Sequence, residues 1–483
     1  MTASAKKSLL IGAAAFAVTA AAGFGLFLSA SKPPAALTVR PGASPYYSDS
    51  ITVAPGSALF FTWGVTPSPR AKAIARGETS DSKERYGDTY AQARALMTQL
   101  TEDLREAGLS LRDVVSVRAN LVAEPELDMA GWNKAFGEFF GNATNPHKPV
   151  RTTIGISRLF HPDYLAEVEF VAVIPPGRGP FTAGSRFERL YDRLNRASTN
   201  DNVRSFGRPT WALSTGKAIK GGSALYFQSA MMPDPMMPAM ATMPLARRMY
   251  KGDVPTQAEQ IFKKNVAALK EAGLTPGDAF FSRNILYPDP KAGGRMDFAG
   301  FNTAYHAVYN NPENPNRLAR TVMSAPGYVQ QGQMLTIETY AVYPGDVSKK
   351  FIKEDGTAVP LLAFRSDPKA TAASGVATSP NAALTFLSGI VAAERGDVKK
   401  EAAGAFATAT ERLAAAGATL DHVVQLRVYV VAGTNAVTAA SDFESVYATT
   451  FKGDHRPALT ILPVKALPLE AKVEVEILAA TLP

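Results

Sequence analysis

WNKAFGEFFG (132–141), RTTIGISRL (151–159) and LAEVEFVAVIP (165–175) decide how this chain folds. The first reads as an amphipathic helix closed by Gly141, the second as a strand opening with Arg151, and the third as a strand carrying Glu167 and Glu169. FNTAYHAVYNN, ARTVMSA and LTIETYAVYP (301–344) repeat that order, and FESVYATTF, ALTILPV and VEVEILAATLP (443–483) repeat it again. The chain is one module written three times.

The rest of the module lies upstream of each stretch. YSDSITVAPGSALFFTWGVTP (47–67) gives two β-rich runs around a Pro-Gly turn. A helix follows in which Ala93, Met97, Leu100 and Leu104 share one face, and then the strand VVSVRANLV. Gly-Asp pairs at 87–88, 252–253 and 396–397 open the long helix, and Gly108, Gly273 and Gly417 close it, with an interval of 21 each time. A helix length kept in three copies while the loops vary indicates duplication. The expected division is a leader or anchor at 1–31, a tether at 32–44, repeat 1 at 45–175, a linker with an amphipathic helix (FERLYDRLNR) at 176–204, repeat 2 at 205–345, a charged linker at 346–360 and repeat 3 at 361–483.

Alternation along the strands separates two faces. Glu167 and Glu169 share a face with Leu165 and Val171, while Ala166, Val168, Phe170 and Ala172 point the other way. The expectation is an apolar face beneath two helices and a polar face turned to a shared interior. Three α+β modules with sheets inward and helices outward would let one chain imitate a homotrimer.

Composition narrows the function. With 46% hydrophobic and 19% charged residues the chain is ordinary globular protein. A net charge of +8 over 483 residues, without a concentrated basic stripe, argues against nucleic acid as a partner. The absence of cysteine excludes disulfides, thiol nucleophiles and thiolate metal sites. The five histidines show no ligand spacing, and neither a metal nor a cofactor is expected. Lys6 and Lys7 precede SLLIGAAAFAVTAAAGFGLFLSA (8–30), which is nearer the ~20 apolar residues of a bilayer span than the h-region of a signal peptide. Cleaved or retained, it implies export to the periplasm or anchoring in the inner membrane. MMPDPMMPAMATMP (231–244) reads as an insertion covering a cleft or partner surface, with Cu(I) binding through thioethers the alternative.

YSDSI, the helix closures EAGLSLRDVV, EAGLTPGDAF and AAGATLDHVV, the Asn of WNKAF, the strand-opening Arg and the late E-V-E triplet together resemble the Rid family (reactive intermediate deaminases, also called YjgF). The resemblance spans nearly all of 40–483 as three tandem copies and implies a chorismate-mutase-like α+β fold with sites in clefts between neighbouring units. It implies that an Arg binds a substrate carboxylate and that a Glu positions the water hydrolysing a 2-enamino or 2-imino acid to a keto acid and ammonia. Carried onto this sequence, the catalytic pair is Arg151 and Glu167, with Tyr47, Asn133, Thr153, Asn302 and Arg320 binding substrate. Asn133 reads equally as a helix-capping residue. Thr336 stands where Glu167 does, Leu459 where Arg151 does and Glu444 where Asn133 does, and Trp211 stands for Tyr47 in the second copy. On this reading one cleft, that of Arg151, is complete.

Two other readings follow. A non-catalytic ligand-binding or scaffold subunit of an envelope complex would account for the degraded copies, with an envelope protein as partner. A chorismate-type hydrolase would share the architecture. On all of them the partner ligand is a small carboxylate, and the chain acts as a monomeric pseudo-trimer.

Overall fold

The computed structural model describes residues 37–42, 44–67, 86–124, 126–159, 161, 163–175, 181, 200–206, 216–243, 247–326, 331–364, 373, 375–433, 435–452 and 455–483. The N-terminal segment 1–31, the linker helix FERLYDRLNR and Trp211 lie outside them. Among the described residues no helix is long and apolar enough to cross a membrane.

The first copy contains β2 (Ser48–Val53), β3 (Ala58–Thr62), α1 (Thr89–Glu106), β4 (Val114–Val122), α2 (Met129–Phe139), β5 (Val150–Ile156) and β6 (Ala166–Ile174), preceded by β1 (Leu37–Pro41). The second runs β7 (Val203–Phe206), β8 (Gly216–Ile219), β9 (Leu225–Gln228), α3 (Val254–Glu271), β10 (Ala279–Leu286), α4 (Phe298–His306), β11 (Ala319–Ser324) and β12 (Leu335–Val342). The third runs β13 (Leu361–Phe364), β14 (Gly375–Thr378), β15 (Ala383–Leu387), β16 (Ile390–Val391), α5 (Val398–Ala415), β17 (Val423–Val431), α6 (Ala436–Thr450), β18 (Ala458–Val464) and β19 (Val473–Thr481).

The long helices α1, α3 and α5 are each 18 residues. Asp88, Asp253 and Asp397 accept from the backbone N–H groups of Ala91, Thr256 and Lys400, satisfying donors that the helix start leaves unpaired. Gly108, Gly273 and Gly417 take φ of +83°, +76° and +76°, the left-handed turn that ends a helix without a Cβ penalty. The recurring interval thus begins at one cap and ends at the other.

Three sheets form, ordered β5-β4-β6-β3-β8-β7, β11-β10-β12-β9-β14-β13 and β1-β2-β15-β19-β17-β18 with β16 against β19. Each sheet takes its last two strands from another copy: β8 pairs with β3, β14 with β9, and β2 with β15. The final pairing joins the start of the chain to its last third and closes the cycle. This corrects one boundary. Residues 37–41 are no tether, because Leu37 and Val39 pack into a shared core while β1 pairs with β2. The linker 346–360 packs on the second copy, where Phe351 is buried in the core.

Each helix pair covers its own sheet over an apolar core, which includes Leu100, Trp132 and Phe170 in the first copy, Ile261, Phe301 and Ile337 in the second, and Phe406, Phe443 and Val475 in the third. Two further cores lie between the sheets and draw on all three copies. One contains Ile51, Phe61, Phe227, Phe281 and Leu384, the other Ile156, Tyr287 and Leu462. The inner face is therefore not polar throughout, as alternation suggested. Apolar layers sit toward both ends, and the charges are confined to one level between them.

Candidate active site

At that level a closed ring of ion pairs links the copies. Arg118 lies across from Glu169, Arg283 from Glu338 and Arg427 from Glu476 in the antiparallel register. Each arginine also reaches the glutamate of another copy: Arg118 Nε donates to Glu476 at 2.9 Å, Arg427 Nε to Glu338 at 2.9 Å, and Arg283 to Glu169. Three guanidinium groups and three carboxylates, nearly all inaccessible to water, compensate one another around the cycle. Sequence reading missed this ring. The signal was present as an arginine ten residues past each helix-closing glycine, inside a mostly apolar strand.

The strand-opening arginines serve a different purpose. Arg151, buried, donates from Nη1 to Asn133 Oδ1 at 2.8 Å, and its guanidinium lies 4.9 Å from the ring centres of Tyr47 and Phe136. Asn133 is thus a partner of the arginine and not the cap of its helix, a place taken by Asp128. The other wall comes from the third copy. Arg151 N–H donates to Ser388 Oγ at 3.0 Å, and Gly389 N–H donates to the Arg151 carbonyl at 3.2 Å. A Cβ on Gly389 would stand 1.6 Å from Glu474 Oε1, so the missing side chain is the space the carboxyl group occupies. Burial pushes Glu474 up to about 8, against the opposing charge of Arg151. Burial also lowers Arg151 to about 10, with Tyr47 and Glu474 acting the other way.

The same construction recurs between the second copy and the first. Gly64 N–H donates to the Arg320 carbonyl at 3.4 Å, and a Cβ on Gly64 would meet Glu167 Oε1 at 2.0 Å. Tyr305, Phe301 and Phe298 surround the Arg320 guanidinium at 4.5, 5.3 and 5.7 Å. Asn302 occupies the position on α4 that Asn133 holds on α2. Burial raises Glu167 to about 8 against the charges of Arg283 and Arg320. Among the described residues Arg320 Nε and Nη1, Asn302 Oδ1 and Glu167 Oε2 have no hydrogen-bond partner. Two donors and a carboxyl oxygen without partners in one buried place suit a bound carboxylate and a water.

The expected pairing of Arg151 with Glu167 is therefore corrected. A glutamate on the last strand of one copy serves the arginine of another, so Glu474 goes with Arg151 and Glu167 with Arg320. Glu169, two residues on, is taken by the ring. Thr153 is held by the Trp132 indole N–H at 3.2 Å beneath α2. The third cleft joins Leu459 to Thr336. Ala230 N–H donates to the Leu459 carbonyl at 3.2 Å, in the place of Gly64 and Gly389, and Thr336 Oγ1 donates to the Met231 carbonyl at 2.8 Å. The methionine-rich run starts here, away from Arg151. Met232 and Leu459 both pack on the third copy's core, while Met236 and Met237 are exposed. Among the described residues no group of three His, Asp or Glu side chains could hold a metal ion.

A family model described as Endoribonuclease L-PSP matches residues 39–174 and 366–481, over half of the sequence. The chain belongs to this family, also known as Rid or YjgF. Curated relatives of this Rid-family chain include RutC family proteins of Pyrococcus abyssi, 36% identical over 86 residues (18% of this chain, 62% of the relative), and of Pyrococcus horikoshii, 35% identical over 86 residues (18% and 63%). The chain thus spans less than two thirds of the length of the relatives it matches. Similar solved structures include yeast Mmf1, at 23% identity and a TM-score of 0.18 over 25% of this chain and 94% of that one. Rv2704 of Mycobacterium tuberculosis is similar at 22% identity and a TM-score of 0.19, over 25% and 99%.

Proposed function

We propose that this Rid-family chain is an intramolecular pseudo-trimer that hydrolyses small 2-imino or 2-enamino acids to keto acids and ammonia, with two competent clefts. One is formed by Arg151, Asn133, Tyr47 and Glu474, the other by Arg320, Asn302 and Glu167. The observation that carries the reading is that each of these arginines shares its cleft with a buried carboxyl group raised to about 8. Such a group is mostly protonated at neutral pH and can act as an acid.

The chemistry follows from those two groups. The guanidinium takes the substrate carboxylate through paired charge-assisted hydrogen bonds. The neutral glutamic acid gives its proton to the imine nitrogen. As a carboxylate it then receives a proton from the water that forms the new C–O bond at C2. The resulting carbinolamine collapses with cleavage of the C–N bond, and ammonia leaves with the proton returned through the glutamate. An enamine enters the same route after protonation at C3.

A scaffold reading draws on the third cleft alone, which has neither the arginine nor the glutamate. Export, with the segment 8–30 as leader or anchor, is part of the proposal and rests on the sequence. The test is ammonia release from a 2-imino acid generated in place by an amino-acid oxidase. Arg151→Ala and Arg320→Ala should each remove part of the acceleration over buffer and the double variant all of it. A double variant as fast as the parent would overturn the proposal.

A further inference from the structure

On the inner side of the ion-pair ring lies a chamber of about 40 Å³. Phe61, Phe227 and Phe386, one from each copy, form part of its wall, and the ring arginines its polar side together with Thr62, Tyr340 and the carboxylates of Glu169 and Glu476, which the arginines already pair. A cavity needs roughly 10–15 Å³ on this measure to take one water-sized particle, so the space accommodates two or three.

Its symmetry is broken in a telling way. Two residues before each ring arginine stand Ser116, Phe281 and Gln425, which occupy equivalent places on β4, β10 and β17 and all line the chamber. A homotrimer must put the same side chain at all three places around its axis. One chain can put a hydroxyl, a phenyl ring and an amide there, and so build a directional site.

The amide is oriented. Gln425 Oε1 accepts from Arg427 Nη2 at 2.6 Å and from the Tyr340 hydroxyl at 3.3 Å, which leaves Nε2 as the donor end. Gln425 is 3% exposed and Arg283 1%, and neither Gln425 Nε2 nor Arg283 Nε has an acceptor among the described residues. Two buried donors without acceptors beside one cavity require an acceptor there, since an unmade buried hydrogen bond costs about 1–3 kcal/mol. Burial also lowers Arg283 to about 10 and Arg427 to about 9, so the ring glutamates do not fully replace the solvation these cations lose.

We propose that the axial chamber binds one halide-sized monoanion, held by Gln425 Nε2 and Arg283 Nε against the phenylalanine wall. The site is separate from both arginine–glutamate clefts and holds the ring in its assembled form.

Thermal unfolding in sodium chloride against sodium gluconate at equal ionic strength tests it, since gluconate is too large for the chamber. The melting temperature should rise saturably by several degrees with chloride and not with gluconate. Gln425→Leu should lose the saturable part while keeping the fold and deaminase turnover. In parallel, bromide-soaked crystals of the parent protein should give an anomalous peak in the chamber, a readout that stands even where the variant folds poorly. Equal melting curves in the two salts, an undiminished chloride response in Gln425→Leu, or water alone in the chamber of the bromide crystals would overturn the proposal.

Discussion

Replacing Glu474 with Gln separates what the buried carboxyl group does for catalysis from what it does to stability. Glu474 is 3% exposed and pushed from 4.5 to about 8 by burial. Because the folded state holds this proton more tightly than the unfolded chain, its contribution is most favourable below the unfolded value near 4.5. That contribution is lost progressively as pH rises through the folded value near 8. At about 1.4 kcal/mol per unit, Glu474 makes the protein less stable by about 3 kcal/mol on going from pH 5 to pH 8. Gln has the shape of the neutral acid and does not titrate. Urea unfolding of parent and Glu474→Gln at half-unit steps between pH 5 and pH 8.5 should give diverging curves, with the variant gaining on the parent by about 3 kcal/mol across that interval. The same variant cannot pass a proton, so the imine hydrolysis of the Arg151 cleft should vanish while the Arg320 cleft continues. Parallel stability curves would refute the claim that Glu474 is neutral in the folded protein.

Four other perturbations follow from the geometry. Gly389→Ala puts a Cβ against the Glu474 carboxyl oxygen, and Gly64→Ala does the same to Glu167. Each should inactivate one cleft in the imine assay with circular dichroism unchanged. Arg283→Met leaves Glu169 and Glu338 short of a buried partner and should cost about 3–5 kcal/mol in urea unfolding. Removing the exposed pair of Arg105 with Glu102 should cost under about 1 kcal/mol. Asp397→Ala removes the cap that accepts from Lys400 and should cost about 1 kcal/mol by the same measurement.

The parts of this fold that were legible in the sequence are those set by local rules. Asp88 and Gly108 fix where α1 begins and ends through contacts within a few residues, so their spacing is readable directly and recurs in the other copies. The strands announced themselves by alternation, and Arg151, Asn133 and Tyr47 could be placed together because one copy supplies all three. What was not legible depends on pairing between distant segments. Nothing in LTVRP (37–41) states that it belongs to a sheet completed by Thr481. Glu167 and Glu474 occupy the same position in their copies, and only the cyclic exchange of strands shows that each faces another copy's arginine. The ring arginines went unread because their compensating glutamates come partly from elsewhere in the chain.

The composite construction also explains the pattern of loss. Among the asparagine, arginine, glutamate and glycine positions, four depart from the complete set: Glu444 for asparagine, Leu459 for arginine, Thr336 for glutamate and Ala230 for glycine. Counted copy by copy they look scattered, two in the second copy and two in the third. Counted cleft by cleft, Leu459, Thr336 and Ala230 meet at a single interface, and Glu444 lies on the helix that covers it. The glycine is needed only where a carboxyl group must be accommodated, so Ala230 is tolerated where Thr336 has replaced the glutamate. Once the arginine is gone, an uncompensated buried carboxyl group would only cost stability, which accounts for the loss of both. Decay independent of the clefts would have spread these changes over three interfaces. Their concentration in one implies that the cleft, not the copy, is the unit on which function depends. Restoring a third site therefore requires Leu459→Arg, Thr336→Glu, Ala230→Gly and Glu444→Asn together, and any one alone should leave ammonia release unchanged.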